Sequence, residues 1–151
     1  MNKLAIIGAW RSHLLDKIDD LSRVTDEARA GTRVDGTHRP SNRGERAAVT
    51  SQGYLTHGLT SRLAELRRHV DLLEKIDPGP RERAVLGSVV SLANGEHYAL
   101  LPGGQGVRLE VDGTSVVILS LSAPLATALQ GLETGDTFDW RDQEVEIAHI
   151  H

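Results

Sequence analysis

The stretch Asp77-Pro78-Gly79-Pro80 divides this chain into halves whose apolar residues repeat with different periods. A helix cannot run through it, because each proline lacks an amide donor and crowds the preceding turn. Before the break, apolar residues recur at helical spacing. After it, they fall in short alternating runs of the kind that strands need. A chain punctuated this way is predicted to be α+β, with helices first and a sheet second.

In the first half, Leu14, Ile18, Leu21, Thr25 and Ala28 recur at steps of 4, 3, 4 and 3. They form one stripe of a helix expected from about Trp10 to about Ala30, with Gly31 as its stop. Leu59, Leu63, Leu66, Val70 and Leu73 repeat the same steps. This second helix is expected to begin between Gly44 and Ala48 and to end by Ile76. Neither narrow stripe is stable alone in water. The nearest apolar partner for each is the other, which gives an antiparallel helical hairpin of coiled-coil type. Gly36, Pro40, Ser41 and Asn42 fit the loop at its tip.

In the second half, runs around Val85–Leu92, His97–Leu101, Val107–Val111, Ser115–Leu121, Thr137–Trp140 and Glu144–Ile150 read as strands. Asn94-Gly95, Asp112-Gly113 and Pro102-Gly103-Gly104-Gln105-Gly106 punctuate them as turns. Pro124 to Leu129 reads as one or two helical turns with proline near the first position. The expected organisation is a hairpin over 1–76, a linker over 77–83, and an antiparallel sheet with one short helix over 84–151.

Composition narrows the function. The 151 residues contain no cysteine, which excludes disulfides and thiolate chemistry and suits a reducing cytoplasm. Leu4-Ala5-Ile6-Ile7 is far too short to span a membrane and lacks a signal-peptide cleavage site, so a cytoplasmic protein without membrane contact is expected. Charge is uneven: residues 1–83 carry 15 Lys/Arg and 12 Asp/Glu, whereas residues 84–151 carry 2 and 9. An acidic domain of this kind repels nucleic acid phosphates and suits a protein partner with a basic surface, unless the charge serves solubility alone.

Several blocks resemble the Gre-type family of bacterial transcription elongation factors. Arg62-Leu63-Ala64-Glu65-Leu66, followed by Ile76-Asp77, is similar to the end of the family's second helix. Leu86-Gly87-Ser88-Val89-Val90 resembles the opening of its C-terminal domain, and Glu96-His97-Tyr98-Ala99-Leu100 resembles a strand there. The most specific block is Leu119-Ser120-Leu121-Ser122-Ala123-Pro124-Leu125-Ala126-Thr127-Ala128-Leu129, continuing through Gly131 to Gly135-Asp136. The Leu101-Pro102-Gly103-Gly104 segment is similar to that of short Gre-like proteins. The resemblance covers most of residues 45–150.

That resemblance implies an FKBP-like C-terminal domain that docks on bacterial RNA polymerase, with Ser122, Ala123 and Pro124 at the family's docking motif. It also implies a coiled-coil hairpin that enters the polymerase secondary channel. Acidic tip residues there help hold Mg²⁺ at the polymerase active site, because Mg²⁺ prefers hard oxygen ligands. At the tip this sequence departs from the family's pattern. Asn42 stands where the family has Asp, Glu45 keeps the Glu position, and Asp35 is the remaining acidic candidate. Arg33, Arg39, Arg43 and Arg46 surround them, and added cations weaken metal binding. Only the proline of the family's docking motif is kept in Ser122-Ala123-Pro124.

These departures point to a polymerase-binding regulator without strong cleavage stimulation; a closed intramolecular hairpin makes it a monomer, although paired stripes also permit dimerisation through the helices. It is not itself an enzyme and has no cofactor in isolation. Mg²⁺ at the polymerase active site would matter only if cleavage competence were retained. The alternatives are an active transcript cleavage factor, a peptidyl-prolyl isomerase, and an adaptor for some other protein. The tip arginines Arg39, Arg43 and Arg46 have two readings. They form a solvated turn, or they contact RNA, nucleotide or acidic residues in the channel. Glu45 reads either as an Mg²⁺ ligand in the complex or as a helix N-terminal residue favoured by the dipole. The glycine-rich stretch 102–106 lacks the Gly-Lys-Ser/Thr ending of a phosphate loop and reads as a turn. His149 and His151, with no third ligand in sequence, read as an exposed end.

Overall fold

The computed structural model describes the backbone of residues 1–32 and 43–151, and the side chains of residues 1–30, 43–44 and 53–151. Helix α1 spans Lys3–Thr32 and α2 spans Arg43–Glu74. Helix α1 therefore starts a full two turns before the expected Trp10. Asn2 explains the early start: its Oδ1 accepts the Ala5 amide at 3.1 Å, satisfying a donor that the first turn leaves free. Ile6 and Trp10, both buried, continue the Leu14 stripe upstream at steps of four.

The two helices run antiparallel. Arg11 pairs with Glu74 at 2.8 Å, and Arg29 Nη2 donates to Thr60 Oγ1 at 3.3 Å. Partners thus fall along α2 as positions rise along α1. Thr25 occupies the stripe without an unpaired hydroxyl, because its Oγ1 donates to the Leu21 carbonyl at 2.7 Å.

The chain forms two compact units. One comprises Leu14–Arg68, where Leu14, Thr25, Leu63 and Leu66 are buried and Tyr54 and Leu55 are exposed. The other joins Met1–His13 to His69–His151. The expected linker, 77–83, lies inside this second unit and is tied down there. Lys3 Nζ donates to the Gly79 carbonyl at 2.6 Å, and Arg83 pairs with Glu133 at 2.5 Å.

The sheet is built from β1 (Val89–Leu92), β2 (His97–Leu100), β3 (Gln105–Val111), β4 (Thr114–Leu119), β5 (Thr137–Trp140) and β6 (Gln143–Ile150), with α3 (Pro124–Leu129) between β4 and β5. Their order is β3-β4-β2-β1-β6-β5. The sheet is mixed rather than wholly antiparallel: β2 and β4 run parallel, with Tyr98, Ala99 and Leu100 beside Val117, Ile118 and Leu119. The cause is the β3–β4 hairpin, which turns at Asp112-Gly113 with both residues at positive φ. It folds back so that β4, not β3, lies against β2.

Alternation gives the sheet two buried faces. Val90, Leu92, Leu100, Leu119, Ile147 and Ile150 pack with Leu125, Ala126 and Leu129 of α3. Val89, Ala99, Val116 and Ile118, on the opposite face, are equally buried. In the same unit Ile6, Trp10, Val70 and Leu73 are buried, and the Trp10 indole donates to the Pro102 carbonyl at 2.9 Å. The ends of the two helices in this unit therefore close the second face, and the glycine-rich turn after β2 accommodates them. A Cβ on Gly103 would stand 2.6 Å from the His69 ring.

Candidate functional site

Helix α3 positions the site. Ala123 precedes it in an extended conformation (φ −64°, ψ 142°), and Pro124 occupies the opening turn, where its missing amide costs nothing. Leu125, Ala126 and Leu129 anchor the helix to the sheet, while Gln130 Nε2 holds the approach by donating to the Leu121 carbonyl at 2.7 Å. Pro124 is left exposed.

Ala123 and Pro124 form one wall of a cleft of about 710 Å³. Its floor is apolar, supplied by Leu92, Leu119, Leu125 and Val145. Tyr98 and Trp140 give it aromatic sides, and Glu96 and Arg141 stand at its rim. A concave apolar surface with a few fixed polar groups is the usual form of a recognition site. Five strands and one helix contribute to it.

The polar rim is ordered. Glu96 accepts from the Tyr98 hydroxyl and from Asn94 Nδ2, each at 3.0 Å. The Tyr98 hydroxyl titrates above its ordinary value, first because of burial and second because of the bond to Glu96. Tyr98 is therefore a neutral donor at physiological pH. Arg141 lies 5.7 Å above the Trp140 ring, a cation–π arrangement. It sits in the two-residue β5–β6 turn with Asp142, both at positive φ (51° and 63°), the backbone that a tight hairpin of this type requires.

The sequence-derived candidates fare differently. Ala123 and Pro124 line the cleft, whereas Ser122 is exposed beside it with its Oγ 2.9 Å from Ser120 Oγ. Arg43 is the first residue of α2 and is exposed. Glu45 and Arg46 lie in the first turn of α2, but their side chains fall outside the described residues. Asp35, Arg39 and Asn42 also lie outside the described residues. The glycine-rich stretch 102–106 is a turn between strands, and Gly104 is pressed against the Leu119–Ser120 backbone. The His149 and His151 rings meet edge to face at 4.3 Å, and among the described residues no group of three or more His, Asp or Glu is arranged to hold a metal.

Sequence points to Tyr98, Phe138 and Trp140 as the aromatic residues available to a pocket of the isomerase kind, but not to Glu96 or Arg141. The available signal was that Tyr98, Phe138 and Trp140 are the only aromatic residues of the domain, at strand positions that alternate inward. Phe138 packs against the core, and the other two reach the cleft.

No family model and no curated protein matches the chain. Among solved structures it is similar to one described as the structure of the transcription factor Gfh1. There the identity is 19%, the match covers 93% of this chain and 92% of that one, and the TM-score is 0.35. It is also similar to the crystal structure of GreA factor homolog 1 (Gfh1) protein of Thermus thermophilus, at 19% identity over 93% and 94% of the two chains, with a TM-score of 0.33. Among the described residues no helix is long and apolar enough to cross a membrane.

Proposed function

We propose that this chain is a Gre-like regulator that binds bacterial RNA polymerase as a monomer, docking through the cleft beside α3 and inserting its helical pair into the secondary channel. One observation carries the reading. Pro124 and Ala123, the residues at the family's docking motif, stand on the wall of the cleft, Pro124 exposed and Ala123 half-buried against the core. Two further features support it. The helices run antiparallel, as a hairpin probe requires, and the part of α1 over residues 14–32 is roughly 28 Å long at 1.5 Å per residue. The domain that carries the cleft holds nine carboxylates, which disfavours direct nucleic acid binding there.

The chain acts as a regulator and not as an enzyme. Asn42 removes one charge from the tip, and arginines surround what remains, so strong stimulation of transcript cleavage is not expected. Any Mg²⁺ involved belongs to the polymerase active site; the protein needs no cofactor of its own. The deciding experiment is a stalled, backtracked elongation complex, with and without a competing cleavage factor. The reading expects little RNA release by this protein alone and reduced release by the competitor. Mg²⁺-dependent release that is lost in Glu45→Ala would instead establish an active cleavage factor.

A second reading, peptidyl-prolyl isomerase, is favoured by Tyr98 and Trp140 lying on the same cleft. Fold and aromatic lining alone do not carry that activity. Acceleration of cis–trans exchange in a proline-containing peptide, lost in Tyr98→Ala, would establish it.

A further inference from the structure

Residues 84–151 hold nine carboxylates and only two cations, Arg108 and Arg141, and both cations flank the Glu96–Tyr98 pair. Arg141 lines the docking cleft. Arg108 lines an adjoining hollow of about 90 Å³ that shares Glu96 and Tyr98 with it. Among the described residues neither forms an ion pair. Arg108 donates to Ser115 Oγ at 3.0 Å, and Arg141 lies over Trp140. Elsewhere Arg11, Arg62 and Arg83 each hold a carboxylate within 2.8 Å. Among the described residues, then, the two guanidiniums of this acidic domain have no carboxylate partner.

Strand alternation sharpens the contrast. In the β5–β6 ladder Phe138 and Trp140 pair with Val145 and Gln143, and Trp140, Gln143 and Val145 line the cleft. Thr137 and Asp139 pair with Glu146 and Glu144, so these carboxylates point to the other face. On β3, Glu110 shares the face of Arg108 but lines neither hollow. Glu96 is the carboxylate at the mouth, and two donors already satisfy it. Tyr98 experiences both arginines as well as Glu96. Arg141 also borders a hollow lined by Asp139 and Asp142, which offset its charge on that side, whereas on the cleft side Glu96 is the carboxylate in the lining.

We propose that the cleft recognises a partner segment in which an apolar side chain fills the Leu119–Leu125–Val145 floor and an adjacent Asp or Glu meets Arg141 at the rim, with Arg108 in the adjoining hollow. The assignment rests on the docking reading above and names its ligand. A guanidinium fork suits a carboxylate, and a ring beneath Arg141 holds that fork in place. A nucleic acid would bring many phosphates against nine carboxylates, whereas an acidic side chain brings a single charge.

The test titrates three capped pentapeptides into the full chain, followed by backbone amide NMR. They share one sequence, Gly-Leu-Xaa-Phe-Gly, with Glu, Gln or Lys at the centre; a hexauridylate is titrated in parallel. The Glu peptide is expected to shift the amides of Tyr98, Trp140 and Arg141 and to bind about tenfold more tightly than the Gln peptide, as charge-assisted hydrogen bonds give. The double variant Arg108→Gln/Arg141→Gln is expected to lose that preference with its melting temperature unchanged. Equal or tighter binding of the Gln or Lys peptide, binding of the hexauridylate at these amides, or no response at the cleft overturns the proposal. Retention on core polymerase separates the two readings. If the native chain is retained and the double variant is retained equally, the acidic-segment proposal fails while docking stands. If the native chain is not retained, docking fails, and the peptide series still decides what the cleft binds.

Discussion

The indole N–H of Trp10 donates to the carbonyl of Pro102 at 2.9 Å, joining the start of α1 to the turn that follows β2. Trp10 is 1% exposed, and the ring of His13 stacks on it with centroids 5.1 Å apart. This contact makes the first turns of α1 part of the sheet-containing unit. Trp10→Phe keeps most of the apolar surface but leaves a buried carbonyl unpaired, which costs about 1–3 kcal/mol. Urea unfolding should show that loss, and a change below about 0.5 kcal/mol would mean the bond is unimportant.

Two glycines should respond to alanine in opposite directions. At Gly104 a Cβ would stand 2.3 Å from the Leu119 backbone carbon, and backbone cannot swing away. Gly104→Ala is expected to destabilise by more than about 3 kcal/mol or to prevent folding. Gly58, exposed within α2, has nothing within 4 Å of the same position. Gly58→Ala should therefore stabilise by roughly 0.5–1 kcal/mol through helix propensity. Thermal melts of the two variants check both signs.

The β5–β6 turn holds Arg141 and Asp142 at positive φ, where glycine is the least strained residue. Asp142→Gly should raise stability by a few tenths to about 1 kcal/mol while Arg141 stays in place over Trp140. Loss of stability in chemical denaturation would show that the Asp142 side chain contributes more than the strain removes.

His151 titrates below its ordinary value, chiefly through burial and then through His149, the N-terminal amine, Lys3 and His97, all of which oppose its charging. The neutral ring is thus the form the fold favours. The unfolded chain binds the proton more readily, so this contribution is complete above the unfolded value near 6.5 and is lost as pH falls through the lower folded value. Melting temperature should drop more steeply between about pH 7 and pH 5 in the native chain than in His151→Gln. Parallel curves would contradict this.

Much of the fold was legible because it is local. Leu63, Leu66, Val70 and Leu73 announce a buried helix face by spacing alone, and Pro124 marks the opening turn of α3. The early start of α1 was missed because its signal is one capping side chain, Asn2, ahead of an apolar run with no polar alternation. The parallel pairing of β2 with β4 was missed for a different reason: strand periodicity says which face a residue takes, not which strand lies beside it. The cleft combines both difficulties. Tyr98 and Trp140 come from β2 and β5, far apart in sequence and in sheet order, so only the folded arrangement brings them to Pro124. Net charge hides local detail as well, since this acidic domain places Arg141 at the cleft and Arg108 in the hollow beside it.

Affinity for core RNA polymerase, measured by surface immobilisation at physiological salt for the native chain and for Pro124→Lys, tests the docking reading most directly. Pro124 is exposed and faces the cleft, so the lysine should leave the melting temperature within a degree or two. Binding at least tenfold weaker in the variant is the predicted result. Equal affinity in the two proteins, or no binding by the native chain, would contradict docking through this cleft.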